Sequence, residues 1–290
     1  MKPRLLLILV LAALPSAAAP SCDRDCLFAV TTGYFNAMIA HQPGALNLAS
    51  NFRFTEDTVE MKIGDSPLWR NASRLRRYRF DILDVRAGVA ASQAIVEEAG
   101  KPVMVSTRLK VVSGKISEAE TQVTRNRTEG ALFEPDSLAA PSGGMLWKPP
   151  DAERNPRDEM IRIAELYPAG LRAGSFVTVD VPFADGTYRL ENGRLMAGPG
   201  CTFLPGCDNI KTQKVPTLPG ITPRVVAVDE DLGIVLLRMD FGAGSTRTPG
   251  DSLIAWEAFK VYGGKIHAVE AFMKVMPLGT PSGWDSPASK

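Results

Sequence analysis

Hydrophobic residues recur at helical spacing in two stretches of the chain and at alternating positions in most of the rest. Residues 25–41 carry Phe28, Tyr34 and Met38 on one face, and residues 156–173 carry Met160, Ile163, Ala164 and Tyr167 in the same manner. Pro43-Gly44 and Gly174 mark the ends of the two predicted helices. A short strand follows each helix, at Val59-Glu60-Met61 and at Tyr188-Arg189-Leu190, and more irregular chain comes after it. Period-2 runs separated by glycine-containing turns then predict strands over 78–85, 90–97, 103–112 and 116–123. Residues 129–154, rich in Pro, Gly, Ser and charge, read as a linker.

The two halves repeat one another. Lys110-Val111-Val112-Ser113-Gly114-Lys115-Ile116 corresponds to Lys260-Val261-Tyr262-Gly263-Gly264-Lys265-Ile266. Upstream, Arg79 and the Asp84 to Gly88 turn correspond to Arg224 and the Asp229 to Gly233 turn, and Phe54 to Thr58 aligns with Phe183 to Thr187. The spacing between matched residues grows from 129 to 145 to 150 along the chain. The second copy therefore carries two insertions, one of 16 residues between Arg189 and Arg224 and one of five near 242–250. The expected organisation is a domain over 22–128, the linker, a second domain over 155–278 and a tail over 279–290.

Residues 1–19 change the picture of where this chain works. Lys2 and Arg4 precede an apolar run from Leu5 to Leu14, and Ala17-Ala18-Ala19 follows it. The run is shorter than the ~20 residues a spanning helix needs, so it reads as a cleaved signal peptide and predicts a secreted or periplasmic protein with no membrane anchor in its mature form. The full chain has a net charge of +1, and losing Lys2 and Arg4 brings it to −1. That balance leaves no electrostatic footprint for nucleic acid. Four cysteines stand in two local pairs, Cys22 with Cys26 and Cys201 with Cys207. Their spacing and an oxidising compartment favour two local disulfides, and the second pair matches no common zinc spacing.

A helix first, then a long antiparallel sheet closing on "GKI" and a final strand, resembles the NTF2-like (SnoaL-like) superfamily. The resemblance covers residues 26–125 and 155–277. Cys22 and Cys26 before the first helix, and Arg189-Leu190-Glu191-Asn192-Gly193 with a downstream cysteine, resemble a group of secreted SnoaL-like proteins. The resemblance implies an α+β fold of two tandem cones, each a curved sheet wrapped on N-terminal helices around a pocket. It also implies a small-molecule ligand, and a homo-oligomer is compatible with it. Superfamily members include isomerases, dehydratases, lyases and non-catalytic binders, so fold alone does not give function.

Such a pocket works with a carboxylate or histidine base and an oxyanion partner in apolar walls. The candidate catalytic residues are His267 and Glu270 as bases on the closing strand, with Arg224 and Tyr167 as oxyanion partners. His267 and Glu270 are three residues apart, so a regular strand puts them on opposite faces. Candidate ligand-binding residues are Trp256, Glu257, Tyr188 and Arg79, with Trp256 and Glu257 pointing oppositely. Nucleotide, Rossmann, serine-hydrolase and zinc-protease motifs are missing from the sequence, so proton transfer without a cofactor or metal is the expected chemistry. The resulting expectation is a lyase- or isomerase-type enzyme acting on a small, partly aromatic molecule in the second copy. Its rival is a non-catalytic ligand-binding or assembly module, whose cones would be filled by side chains rather than hold convergent polar groups.

Overall fold

The computed structural model describes residues 22–281 and 284. The leader expected over residues 1–19 lies outside the described residues, as does most of the tail. Two α+β units follow one another, as the repeat predicts. The first begins with helix α1 (Arg24–Ile39), and its strands are β1 (Leu48–Glu56), β2 (Val59–Glu60), β3 (Ala72–Asp84), β4 (Val89–Glu98), β5 (Lys101–Val112) and β6 (Lys115–Thr124), with a short helix α2 (Pro67–Asn71) before β3. The linker holds a single turn of helix, α3 (Gly143–Leu146). The second unit has helix α4 (Arg157–Ala173) and strands β7 (Phe183–Glu191), β8 (Arg194–Ala197), β9 (Thr222–Asp229), β10 (Ile234–Asp240), β11 (Asp251–Tyr262) and β12 (Lys265–Pro277).

Both sheets have six strands in one order, β2-β1-β6-β5-β4-β3 and β8-β7-β12-β11-β10-β9. In each, the closing strand pairs parallel to the first strand, and all other pairs are antiparallel. The strand register corrects the alignment at the front of the repeat. Phe54 lies opposite Ala119 and Arg189 lies opposite Val269, so the counterpart of Phe54 is Arg189 rather than Phe183. Residues 48–56, not read as strand from sequence, are the true equivalent of β7, and the expected strand at Val59-Glu60-Met61 is the short hairpin partner β2. The larger insertion shrinks accordingly, since 28 residues separate Glu56 from Asp84 and 38 separate Glu191 from Asp229. The cause of the slip is local: Phe54 and Phe183 each precede a polar turn-like run, and period 2 does not distinguish such runs.

The helices are bounded as their sequences dictate. Asp23 caps α1 by accepting from the Cys26 N–H at 2.9 Å, and the Cys22–Cys26 disulfide brackets the same turn. Gly174 ends α4 in the left-handed conformation, with φ of 70°. Each helix lies across one face of its own sheet. Tyr34, Phe35, Met38, Trp69 and Leu109 fill the first interior, and Ile163, Tyr167, Phe176, Met239 and Phe259 fill the second.

The opposite faces of the two sheets meet each other. Tyr78, Phe80, Ile82 and Ile95 from the first sheet pack against Val226, Leu236, Trp256 and Phe272 from the second. Two aspartates lock this seam reciprocally. The Asp84 carboxylate accepts from the Val228 N–H at 2.9 Å and from Arg157 at 2.6 and 2.9 Å. Asp229 accepts from the Leu83 N–H at 3.0 Å and from Arg24 at 2.8 Å. Each aspartate thus ties the other unit's edge strand to the other unit's helix start.

Candidate functional site

Strand alternation separates two faces in the second unit, and the face that turns toward α4 collects a group of polar residues. On β11, Glu257 and Phe259 point to the helix, and Trp256 and Ala258 point to the seam. On β12, Val269, Ala271 and Met273 face the helix, and Ala268 and Phe272 face the seam. Tyr167 descends from the middle of α4, and its ring packs on Phe176 and Phe259 with centroids 4.9 and 5.1 Å away.

The Tyr167 hydroxyl accepts from Arg189 Nη1 at 3.0 Å and stands beside the Glu257 carboxyl. Arg189 and Glu191 stand two apart on β7 and therefore on one face, where Arg189 Nε lies 2.8 Å from Glu191 Oε1. Arg189 Nη2 donates to Gln213 Oε1 at 3.0 Å, and the Gln213 amide donates in turn to the Met196 carbonyl. Gln213 belongs to the inserted segment, which the Cys201–Cys207 disulfide closes into a loop, with Cα atoms 5.6 Å apart. The Asn192-Gly193 turn completes the motif. Asn192 adopts a left-handed φ of 46°, and its side chain exchanges hydrogen bonds with the Met273 backbone.

This arrangement has a definite electrostatic consequence. Glu257 is 2% exposed. Burial, and then the neighbouring Glu191 charge, push its carboxyl up to about 8, against the opposing pull of Arg189 and Tyr167. Near neutrality the cluster holds a protonated acid beside an Arg189–Glu191 pair. Burial also raises the Tyr167 phenol well above its ordinary range. A surface groove of about 310 Å³ lies between the start of β7 and the inserted loop. Phe183, in its wall, is in edge contact with Tyr167 at 6.3 Å.

The remaining candidates lie elsewhere. Glu270 faces the seam, where it accepts from Tyr78 at 3.1 Å and from Tyr188 at 2.7 Å, and Tyr188 also meets Ser142 of the linker. Burial raises its carboxyl. Glu270 is therefore on the opposite side of the sheet from Tyr167. His267 sits by the β11–β12 turn, its ring stacked on Tyr262 and its Nε2 3.1 Å from the Tyr262 carbonyl, and burial lowers its affinity for a proton. A register shift between Ile266 and Ala268 breaks the alternation beside it. Arg224 pairs across the seam with Glu120 at 2.6 Å. Arg79 bonds Asp81 and Thr32 in the first unit. Trp256 is buried in the seam, its carbonyl accepting from Gln93. Two pairs of candidates are brought together, Tyr167 with Glu257 on the helix side of the sheet and Tyr188 with Glu270 on the seam side.

Sequence reasoning passed over Arg189, Glu191 and Gln213 as chemistry. The first two carried a usable signal, since opposite charges two apart on a strand share a face. Gln213 carried none, because its place depends on how the insertion folds. The first unit has Tyr34 for Tyr167, Phe54 for Arg189 and Thr107 for Glu257, and keeps a carboxylate, Glu56, only at the point of Glu191. There the Tyr34 hydroxyl meets Trp69 Nε1 at 3.3 Å and Thr121 at 3.5 Å, and Thr107 bonds Thr121.

Among the described residues, no group of His, Cys, Asp and Glu is arranged to hold a metal ion, and no helix is long and apolar enough to cross a membrane. The paired cysteines suit an oxidising compartment. Similar solved structures each match about one unit. They include a de novo designed protein with a curved β-sheet (17% identity, 35% of this chain and 88% of that one, TM-score 0.30). An NTF2-like protein of unknown function from Cytophaga hutchinsonii matches at 12% identity (35% and 91%, TM-score 0.27). A ketosteroid isomerase-like protein from Kribbella flavida matches at 14% (44% and 93%, TM-score 0.26). No curated protein sequence matches the chain. Residues 153–273, which span the second unit, match the family described as "Domain of unknown function (DUF8021)".

Proposed function

We propose that the second unit binds a small, partly aromatic molecule and moves a proton on it without a cofactor, as a lyase- or isomerase-type enzyme of a secreted or periplasmic protein. The observation that carries this reading is the buried Glu257 carboxyl, held near a pKa of about 8 beside Tyr167 and Arg189. A carboxyl poised close to ambient pH can both give and take a proton, which is what general acid–base catalysis requires. Arg189 and the Tyr167 hydroxyl are the donors that would hold an oxyanion formed next to it. Ligand would enter from the groove beside Phe183, whose ring stands between that groove and Tyr167.

The test is a screen of the purified mature protein against small hydroxylated aromatics, by binding and by turnover, with Glu257→Gln and Tyr167→Phe alongside. Turnover by the wild type that falls at least about a hundredfold in Glu257→Gln supports the reading. Binding with unchanged turnover in both variants, or no binding at all, sinks it.

A second reading, a non-catalytic ligand-binding or assembly module, is favoured by the side chains that fill both interiors and by the reciprocal aspartate lock at the seam. Binding of a ligand without chemical change in any variant is its signature.

A further inference from the structure

The first unit carries a second, independent feature on the seam-side face of its sheet. Arg53 and Thr55 alternate with the core residue Phe54 on β1, and Arg108 alternates with Thr107 and Leu109 on β5. Thr55 and Arg108 are 1% and 7% exposed. The indole of Trp284 lies on this group. The Arg53 and Arg108 guanidinium carbons stand 4.5 and 4.8 Å from the centre of its ring, and Nε1 donates to Thr55 Oγ1 at 2.9 Å.

We propose that Arg53, Thr55 and Arg108 form a binding slot for a neutral planar aromatic ring bearing an N–H or O–H donor, a slot that Trp284 occupies in cis. Both guanidinium groups have their N–H edges tied to carboxylates. Arg53 bonds Glu60 at 2.8 and 3.2 Å, and Arg108 bonds Glu120 and Glu118 at 3.0 and 2.8 Å. With the edges fixed, the flat faces are the surfaces a ring can stack on. The buried Thr55 hydroxyl supplies a directional acceptor. The neighbouring carboxylates offset the two cations, so stacking and one hydrogen bond do the recognising and an anionic group is not required. The second unit has Tyr188, Leu190 and Ala258 at the equivalent positions and so lacks the slot. The slot is on the opposite face of the sheet from the interior and in the other unit from Glu257, so it stands or falls apart from the proposed catalytic reading.

Indole itself is the probe. Full-length Trp284→Ala should bind indole, by calorimetry or saturation-transfer NMR, at least about tenfold more tightly than the wild type, because the tethered competitor is gone. Adding Arg53→Gln to that variant should abolish the gain. In the unsubstituted chain, indole at high concentration should shift the Trp284 indole N–H resonance as it displaces the ring. Equal indole binding by wild type and Trp284→Ala, a gain that survives Arg53→Gln, or an unmoved Trp284 resonance would each overturn the proposal.

Discussion

Thr107 and Glu257 occupy the same place in their two sheets, one opposite Thr121 and the other opposite Ala271, each beneath the tyrosine of its unit's long helix. One position is a neutral hydroxyl and the other an ionisable carboxyl. That contrast gives the second interior a titratable carboxyl beneath its tyrosine where the first has a hydroxyl.

The sign of the resulting pH dependence follows from linkage. The Glu257 carboxyl titrates near 8 when folded and near 4.5 when unfolded. Between those values the folded state holds the extra proton, so the contribution is complete below about 4.5 and is lost as pH rises toward 8, at up to about 1.4 kcal/mol per pH unit. Urea denaturation across that range should show this decline in the wild type, and Glu257→Gln should flatten it. Parallel curves for the two proteins would remove Glu257 as the titrating group.

Arg189 is the only cation described as bonded within that interior group, and Phe54 stands at the same point in the first unit. Arg189→Phe strands Glu191 beside Glu257 and should destabilise by about 3–5 kcal/mol. Adding Glu257→Thr, so that the second interior copies the first, should recover part of that loss. A double variant no better than the sum of the singles would mean the two side chains do not interact.

Asp84→Asn tests the seam. The aspartate is 1% exposed and receives Arg157 in a two-pronged pair. Its neutralisation should cost about 3 kcal/mol or more, and Asp229→Asn should cost a similar amount, since its contacts mirror those of Asp84. Thermal melts read both. A loss below about 1 kcal/mol in either would show that the backbone contacts alone hold the seam.

Two helical glycines should respond oppositely to alanine. A methyl group at Gly33 in α1 meets nothing within 4 Å, and Gly33→Ala should stabilise by up to about 1 kcal/mol. At Gly170 in α4 the same methyl would come within 2.4 Å of Phe176, a ring packed against Tyr167. Gly170→Ala should destabilise by about 1–3 kcal/mol. Equal effects at the two sites would contradict the packing described around Phe176.

The duplication, both long helices and the closing strands were legible because periodicity and the repeated Lys-Val…Gly-Lys-Ile segments are local signals. The front of the repeat was not, because Phe54 and Phe183 look alike in sequence and only pairing with β6 and β12 fixes the register. The site was half legible. The opposition of Trp256 and Glu257 followed from alternation, but which of them faces the helix depends on the whole sheet. Glu270 reads as a pocket base until Tyr78, 192 residues away, is seen to donate to it. Gln213 and Trp284 depend on where an insertion and a tail come to rest, which no spacing rule supplies.

The alternation of β11 and β12 has one more consequence. Residues that bind the units together and residues that line an interior sit next to each other in the chain, yet they answer to different neighbours. A substitution at Glu257 leaves the seam untouched, and one at Trp256 leaves the interior untouched. A gene that doubled itself could therefore try new chemistry in one copy while the partnership between the copies stayed as it was.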